Sequence, residues 1–208
     1  MTSILYFHPQ SSNARKVVML DSHLDWGAEL RCVDLFRGEQ RSPEYLAIDP
    51  NGKVPVLVDG EFILSESRAI LEYMARSKER HDLVGRSVQG AARVHQWLYW
   101  SASKFAPLIS RLSFERTLKR ALGLGEPDER VIEHTLRELV AAASILDARL
   151  DGRDFVSGDV MTIADISLAM EATNTPLSKF GFSEWPHISA WLERMKGQPG
   201  WLEHSADA

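Results

Sequence analysis

The sequence predicts an α/β domain over residues 1–77, a polar linker over 78–86 and an all-helical domain over 87–208. Three observations carry that prediction. Short β-prone runs occur only in the first third of the chain. The stretch Lys78-Glu79-Arg80-His81-Asp82 has no apolar period, and no strand signal follows it. From about Ser87 onward, apolar residues recur at helical spacing.

The elements follow in order. Ser3 to Phe7 is a β-prone run closed by His8-Pro9. Ser11-Ser12-Asn13 offers capping groups for a helix from Ala14 to Leu24, with Val17, Val18, Met19 and Leu20 as its apolar residues. Glu29 to Val33 reads as a second strand, and Pro43 to Ile48 as a helical turn stopped by Asp49-Pro50. Val54 to Val58 and Glu61 to Leu64 form an antiparallel hairpin across Asp59-Gly60. Glu66 to Arg76 is helical, with Ala69, Ile70, Tyr73 and Met74 on one face. The order βαβαββα in under 80 residues matches a thioredoxin-like domain.

In the helical part, Val94, Leu98, Ala102, Phe105 and Leu112 trace one stripe, kinked by Pro107 and broken at Gly123-Leu124-Gly125. Leu136, Leu139, Val140, Ala143, Leu146 and Leu150 trace a second. Thr162 with Asp165 gives a helix-start signature, Thr162 as the cap and the acid at the third helical position. A last helix fits Pro186 to Lys196.

Composition limits function. Hydrophobic residues are 44% of the 208, charged residues 25%, and the net charge is −5. Nothing in that balance attracts nucleic acid or a membrane surface. No signal peptide or spanning run is read, so a reducing cytoplasm is expected. The single cysteine, Cys32, excludes a disulfide framework and any CxxC motif, and it reads as an inert strand residue. The seven histidines have no metal-ligand spacing.

Asp49-Pro50-Asn51-Gly52-Lys53-Val54-Pro55-Val56-Leu57, followed by Ser65-Glu66-Ser67-Arg68-Ala69-Ile70, is the most informative stretch. Main chain before Pro55 can pair with a peptide-like ligand, or Pro55 can be an ordinary trans proline at the start of an edge strand. Ser67 at a helix start suits a carboxylate and Glu66 an ammonium group, or both serve only as caps. Trp97, Trp100, Lys104, Pro107 and Arg111 share a helix face on ideal spacing. Trp97 and Trp100 either line an apolar pocket or seal an interdomain contact, the second being preferred.

The NGKVPVL and ESRAI segments, with the element order of residues 1–77, resemble the glutathione-binding half of the glutathione S-transferases. The resemblance implies a cis Pro55 that turns the N–H and C=O of Val54 toward the cysteinyl part of glutathione. Glu66 and Ser67 would hold the γ-glutamyl end, Lys53 would face the glycyl carboxylate, and Ser12 is counted among the contacts. Ser11 stands four residues before Arg15, as in the serine-type theta, delta and phi classes, and is the first choice for stabilising the thiolate. Lowering a thiol pKa by two units needs about 2.7 kcal/mol, and one hydroxyl donor to a charged sulfur supplies roughly 1.5–3 kcal/mol.

Ser11-Ser12-Asn13 also resembles the bacterial nu-type members, which makes Asn13 a second donor and glutathione-dependent disulfide or peroxide reduction the alternative chemistry. A non-catalytic binding or regulatory relative is the other alternative. Tyr6, Trp97, Trp100, Lys104 and Arg111 are the expected electrophile pocket. Conjugation of glutathione, as co-substrate, to a small hydrophobic electrophile by a homodimer follows, with no metal or prosthetic group.

Overall fold

The computed structural model describes residues 3–201, which form two compact units: residues 3–84 with 198–201, and Gly85–Gly197.

The first unit is built on β1 (Ile4–Phe7), α1 (Ser12–Leu24), β2 (Glu29–Cys32), α2 (Pro43–Leu46), β3 (Val56–Asp59), β4 (Phe62–Ser65), α3 (Ser67–Ser77) and α4 (His81–Val84). The four strands form one sheet in the order β2-β1-β3-β4. β1 runs parallel to β2, with Ile4 opposite Glu29, and antiparallel to β3, with Tyr6 opposite Val56. This is the thioredoxin-like arrangement the element order predicts. Ser11 caps α1, its Oγ accepting from the Ala14 N–H at 3.2 Å. Leu5, Val17, Leu20, Leu57, Ile70 and Met74 are buried between sheet and helices.

Helix α4 occupies part of the predicted linker. It is polar at His81-Asp82 but buries Leu83 and Val84. Four residues are too few for a helical period to register in sequence.

The second unit begins with α5 (Val88–Trp100), capped by Ser87. Where a kink at Pro107 was expected, a π-helical turn over Ser101–Phe105 leads into α6 (Ala106–Ser113). Proline has no N–H to continue the α-ladder, and the Ala106 N–H instead reaches back five residues to the Ser101 carbonyl. A second π turn, Phe114–Leu118, precedes α7 (Lys119–Ala121). Wider turns shift the helical phase, so Ala102, expected on the buried stripe, is exposed.

Helix α8 (Glu129–Leu150) buries Ile132, Thr135, Leu139, Ala142, Ala143, Leu146 and Leu150. Val140, expected inside, is 45% exposed, and Leu136 is half-buried. The sequence misjudged this stripe because the small Ala142 and the hydroxyl of Thr135 take core positions that a count of large apolar residues passes over.

Helices α9 (Ile163–Ala172), α10 (Thr175–Ser178) and α11 (Pro186–Lys196) follow, with α10 unpredicted and α11 as expected. Asp147 accepts the backbone N–H groups of His187 and Ile188, both at 2.9 Å, satisfying two orphan donors at the start of α11. Among the described residues, no helix is long and apolar enough to cross a membrane.

Candidate functional site

A cavity of about 300 Å³ lies in the first unit, lined by Asn13, Asp49, Asn51, Lys53, Val54, Pro55, Ser65, Glu66, Ser67 and Arg68. Three segments distant in sequence supply it: the start of α1, the approach to β3, and the junction of β4 with α3. Six of the residues singled out from sequence meet there, namely Asn13, Lys53, Val54, Pro55, Glu66 and Ser67.

The Val54–Pro55 peptide bond is cis, as the family resemblance implied and the bare X–Pro statistics did not. The β3 ladder begins at Val56, so the N–H and C=O of Val54 lie outside the sheet's pairing. Lys53, just before, is clamped at both ends. Its N–H donates to Asp49 Oδ2 at 2.9 Å, and its carbonyl accepts from the Tyr45 hydroxyl at 2.6 Å. Asp49 is buried and also accepts from Asn51 Nδ2 at 3.3 Å. Burial, with Asp49 nearby, pushes the Tyr45 phenol well above its ordinary value, so it stays a donor.

Glu66 has φ 70° and ψ 105°, a conformation rare outside glycine. It caps α3, its carbonyl accepting from the Ile70 N–H at 3.0 Å. Ser67, the first residue of α3, is buried, and its Oγ donates to Asn13 Oδ1 at 3.3 Å. That contact ties the start of α3 to the start of α1 across 54 residues of sequence. Helix N-termini present unpaired N–H groups, a suitable seat for a carboxylate.

Ser11 and Ser12 are half-buried and neither lines the cavity. While capping α1, Ser11 Oγ acts only as an acceptor, so its proton is still available to donate. The β1–α1 turn that carries it is held by the Ser11 N–H on the His8 carbonyl at 3.0 Å and the Gln10 N–H on His8 Nδ1 at 3.2 Å. Burial lowers the His8 pKa against the opposing pull of Asp34, which keeps Nδ1 an acceptor.

Tyr6 lies apart from the cavity. Its ring stands edge-on to Tyr45 at 5.7 Å, and its hydroxyl accepts from Arg31 Nη1 at 3.3 Å. In the second unit, Trp97 and Trp100 line a hollow of about 350 Å³ with Ile145 and Ala148 of α8. Trp100 and Lys104 line an adjoining one of about 270 Å³. Arg111 is exposed and lines neither. The π turn between α5 and α6 breaks the single face on which ideal spacing had set these residues. Cys32 is exposed on edge strand β2, where partial desolvation and the Glu39 and Asp34 carboxylates raise its thiol pKa, as expected of an unreactive residue.

Sequence reasoning passed over Tyr45, Asp49 and Arg68. A tyrosine, an aspartate or an arginine near a helix or turn carries no distinctive spacing. Arg68 could have been found from its place inside ESRAI.

A cis proline, the start of α3 and the Ser67–Asn13 pair between α3 and α1 thus meet at one cavity of a thioredoxin-like unit. The family model described as "Glutathione S-transferase, N-terminal domain" matches residues 1–76, and "Glutathione S-transferase, C-terminal domain" matches 101–199. The chain is 35% identical to Glutathione S-transferase F10 of Arabidopsis thaliana over 84% of its length and 83% of the relative's. It is 32% identical to Glutathione S-transferase 3 of Zea mays over 94% and 89%. A solved glutathione S-transferase-I bound with lactoylglutathione superposes with a TM-score of 0.84 at 25% identity, covering 96% of each chain. A possible glutathione S-transferase from Rhodopseudomonas palustris superposes at 0.87 with 30% identity over 98% of each chain.

This chain belongs to the glutathione S-transferase family. Its likeness to these relatives supports glutathione conjugation and leaves the class of acceptor unspecified.

Proposed function

We propose that the cavity of the first unit binds glutathione and that the protein transfers its sulfur to a small hydrophobic electrophile. Val54 pairs with the cysteinyl backbone, Ser67 and the α3 N-terminus receive the γ-glutamyl carboxylate, and Glu66 receives its ammonium. Lys53 faces the glycyl carboxylate. Ser11 and Asn13 donate to the sulfur and favour its charged form, and the oriented thiolate attacks the electrophile. Trp97, Trp100 and Lys104, which line hollows within the second unit, are read as acceptor-pocket residues. Homodimeric assembly and a cytoplasmic location belong to this reading by analogy with the family.

The observation that carries it is the hydrogen bond from Ser67 to Asn13 on the wall of the cavity that holds the cis Val54–Pro55 unit. Titration calorimetry with glutathione is the primary test, and no heat at millimolar ligand, with an unshifted melting curve, overturns the proposal. Binding without turnover of a chlorinated nitroaromatic identifies a non-catalytic relative. Ser11→Ala should lower kcat/KM for conjugation about 10- to 100-fold, the worth of one hydrogen bond to a charged group.

Glutathione-dependent disulfide reduction is the second reading, and one observation favours it: Asn13 lines the cavity and Ser11 does not. If disulfide turnover survives Ser11→Ala and is lost in Asn13→Ala, the second reading stands.

The clamp on Lys53 gives a further expectation. Tyr45→Phe keeps the ring and removes the donor to the Lys53 carbonyl, costing about 1 kcal/mol of loop placement. The glutathione KM should rise roughly fivefold with kcat nearly unchanged. Equal falls in kcat and kcat/KM would show that the clamp acts on chemistry rather than binding.

A further inference from the structure

We infer that Lys16 is a positioning residue for the sulfur site, acting through Asn13, an inference that rests on the proposed role of Asn13. Lys16 is fully buried on α1, unusual for a side chain that ordinarily keeps its ammonium in water. Its Nζ donates to Asn13 Oδ1 at 2.8 Å, one helical turn back. The same oxygen accepts from Ser67 Oγ at 3.3 Å.

An ammonium has donors only, so the amide atom facing it must be the oxygen. The orientation of Asn13 is therefore dictated by its neighbours. With Oδ1 held by Lys16 and Ser67, the donor Nδ2 is the part of the amide left to meet a ligand. The ammonium also polarises the amide, which strengthens the N–H as a donor to an anion. Lys16 thus places its amine group one amide away from the proposed sulfur position without touching substrate. Asp49, Lys53, Glu66 and Arg68 are the other charged groups that line the cavity.

The experiment measures the pH midpoint of thiolate formation in bound glutathione by ultraviolet absorbance, with kcat and KM, for the full chain and its variants. Lys16→Met should raise the midpoint by about one pH unit, the order expected from a unit charge acting across two hydrogen bonds in a partly buried site. At neutral pH, kcat should fall roughly threefold, following the thiolate fraction, with the glutathione KM changed less than about twofold. Lys16→Arg should recover part of the shift. In an Asn13→Ala background, the shift caused by Lys16→Met should fall well below its wild-type size, since the amide relay is gone and only the through-space field of the ammonium remains.

An unshifted midpoint in folded Lys16→Met overturns the inference, as does an equal shift in the Asn13→Ala background. Should Lys16→Met fail to fold, Lys16→Gln keeps a donor without the charge and carries the same two criteria. Failure of the wild type to bind glutathione refutes the proposed function itself. Binding and turnover by the wild type, with an insensitive Lys16→Met, refutes this inference alone.

Discussion

Asp165→Ala is expected to destabilise the protein by about 4 kcal/mol, the cost of stranding several buried donors at once. For a chain of this size that is roughly a 10 °C fall in Tm. The carboxylate is completely buried, and its two oxygens take four donors. Oδ1 accepts from the Val156 N–H at 2.7 Å and the Trp191 indole at 3.1 Å. Oδ2 accepts from the N–H and the hydroxyl of Thr162, both at 2.9 Å. One side chain therefore joins the loop before α9, the start of α9 and the buried face of α11.

Burial pushes the Asp165 pKa from 3.8 up to about 6, against the opposing pull of these hydrogen bonds. Because the folded value lies above the unfolded one, the stabilisation from protonation is complete below about pH 4. It is lost as pH rises through 6. The stability gap between wild type and Asp165→Asn should accordingly widen by about 1 kcal/mol from pH 7 to pH 5. Denaturant unfolding at the two pH values measures it, and a gap that narrows would reverse the sign of the argument.

Glu66→Gly should raise stability and weaken function together. A non-glycine residue held at positive φ costs of order 1–3 kcal/mol, and Glu66 at φ 70° carries that cost. Glycine accepts the same backbone freely, so the denaturant midpoint should rise by an amount equivalent to about 1 kcal/mol. The same change removes the carboxylate proposed to hold the γ-glutamyl ammonium, so the glutathione KM should climb about tenfold. If stability and affinity fall together, Glu66 is a cap without strain and its placement needs another explanation.

Helix starts were the most legible feature of the sequence. Ser11, Thr162 with Asp165, and Pro186 each place a polar or proline residue before an apolar run, and each opens a helix in the structure. The cavity was legible because most of its lining residues fall in two short runs of sequence, around Pro55 and around Glu66. What stayed hidden depends on tertiary partners. Lys16 reads as a surface lysine until its helix is seen to be buried. Tyr45 and Asp49 gain meaning only when the chain folds back and puts Lys53 between them. The exposed Ala102 follows from π turns, which count five residues where the sequence pattern counts fewer. The positive φ of Glu66 runs against residue preference and could not be read from composition.

Gly200 sets a constraint on the order in which the molecule can be assembled. At φ 78° it lies so close to α1 that an added Cβ would sit 2.5 Å from the Met19 carbonyl oxygen and 2.7 Å from Ser22 Cβ. Residues 198–201 thus group with residues made nearly two hundred positions earlier. During synthesis the first unit therefore cannot finish its packing on α1 until the whole helical unit has been made.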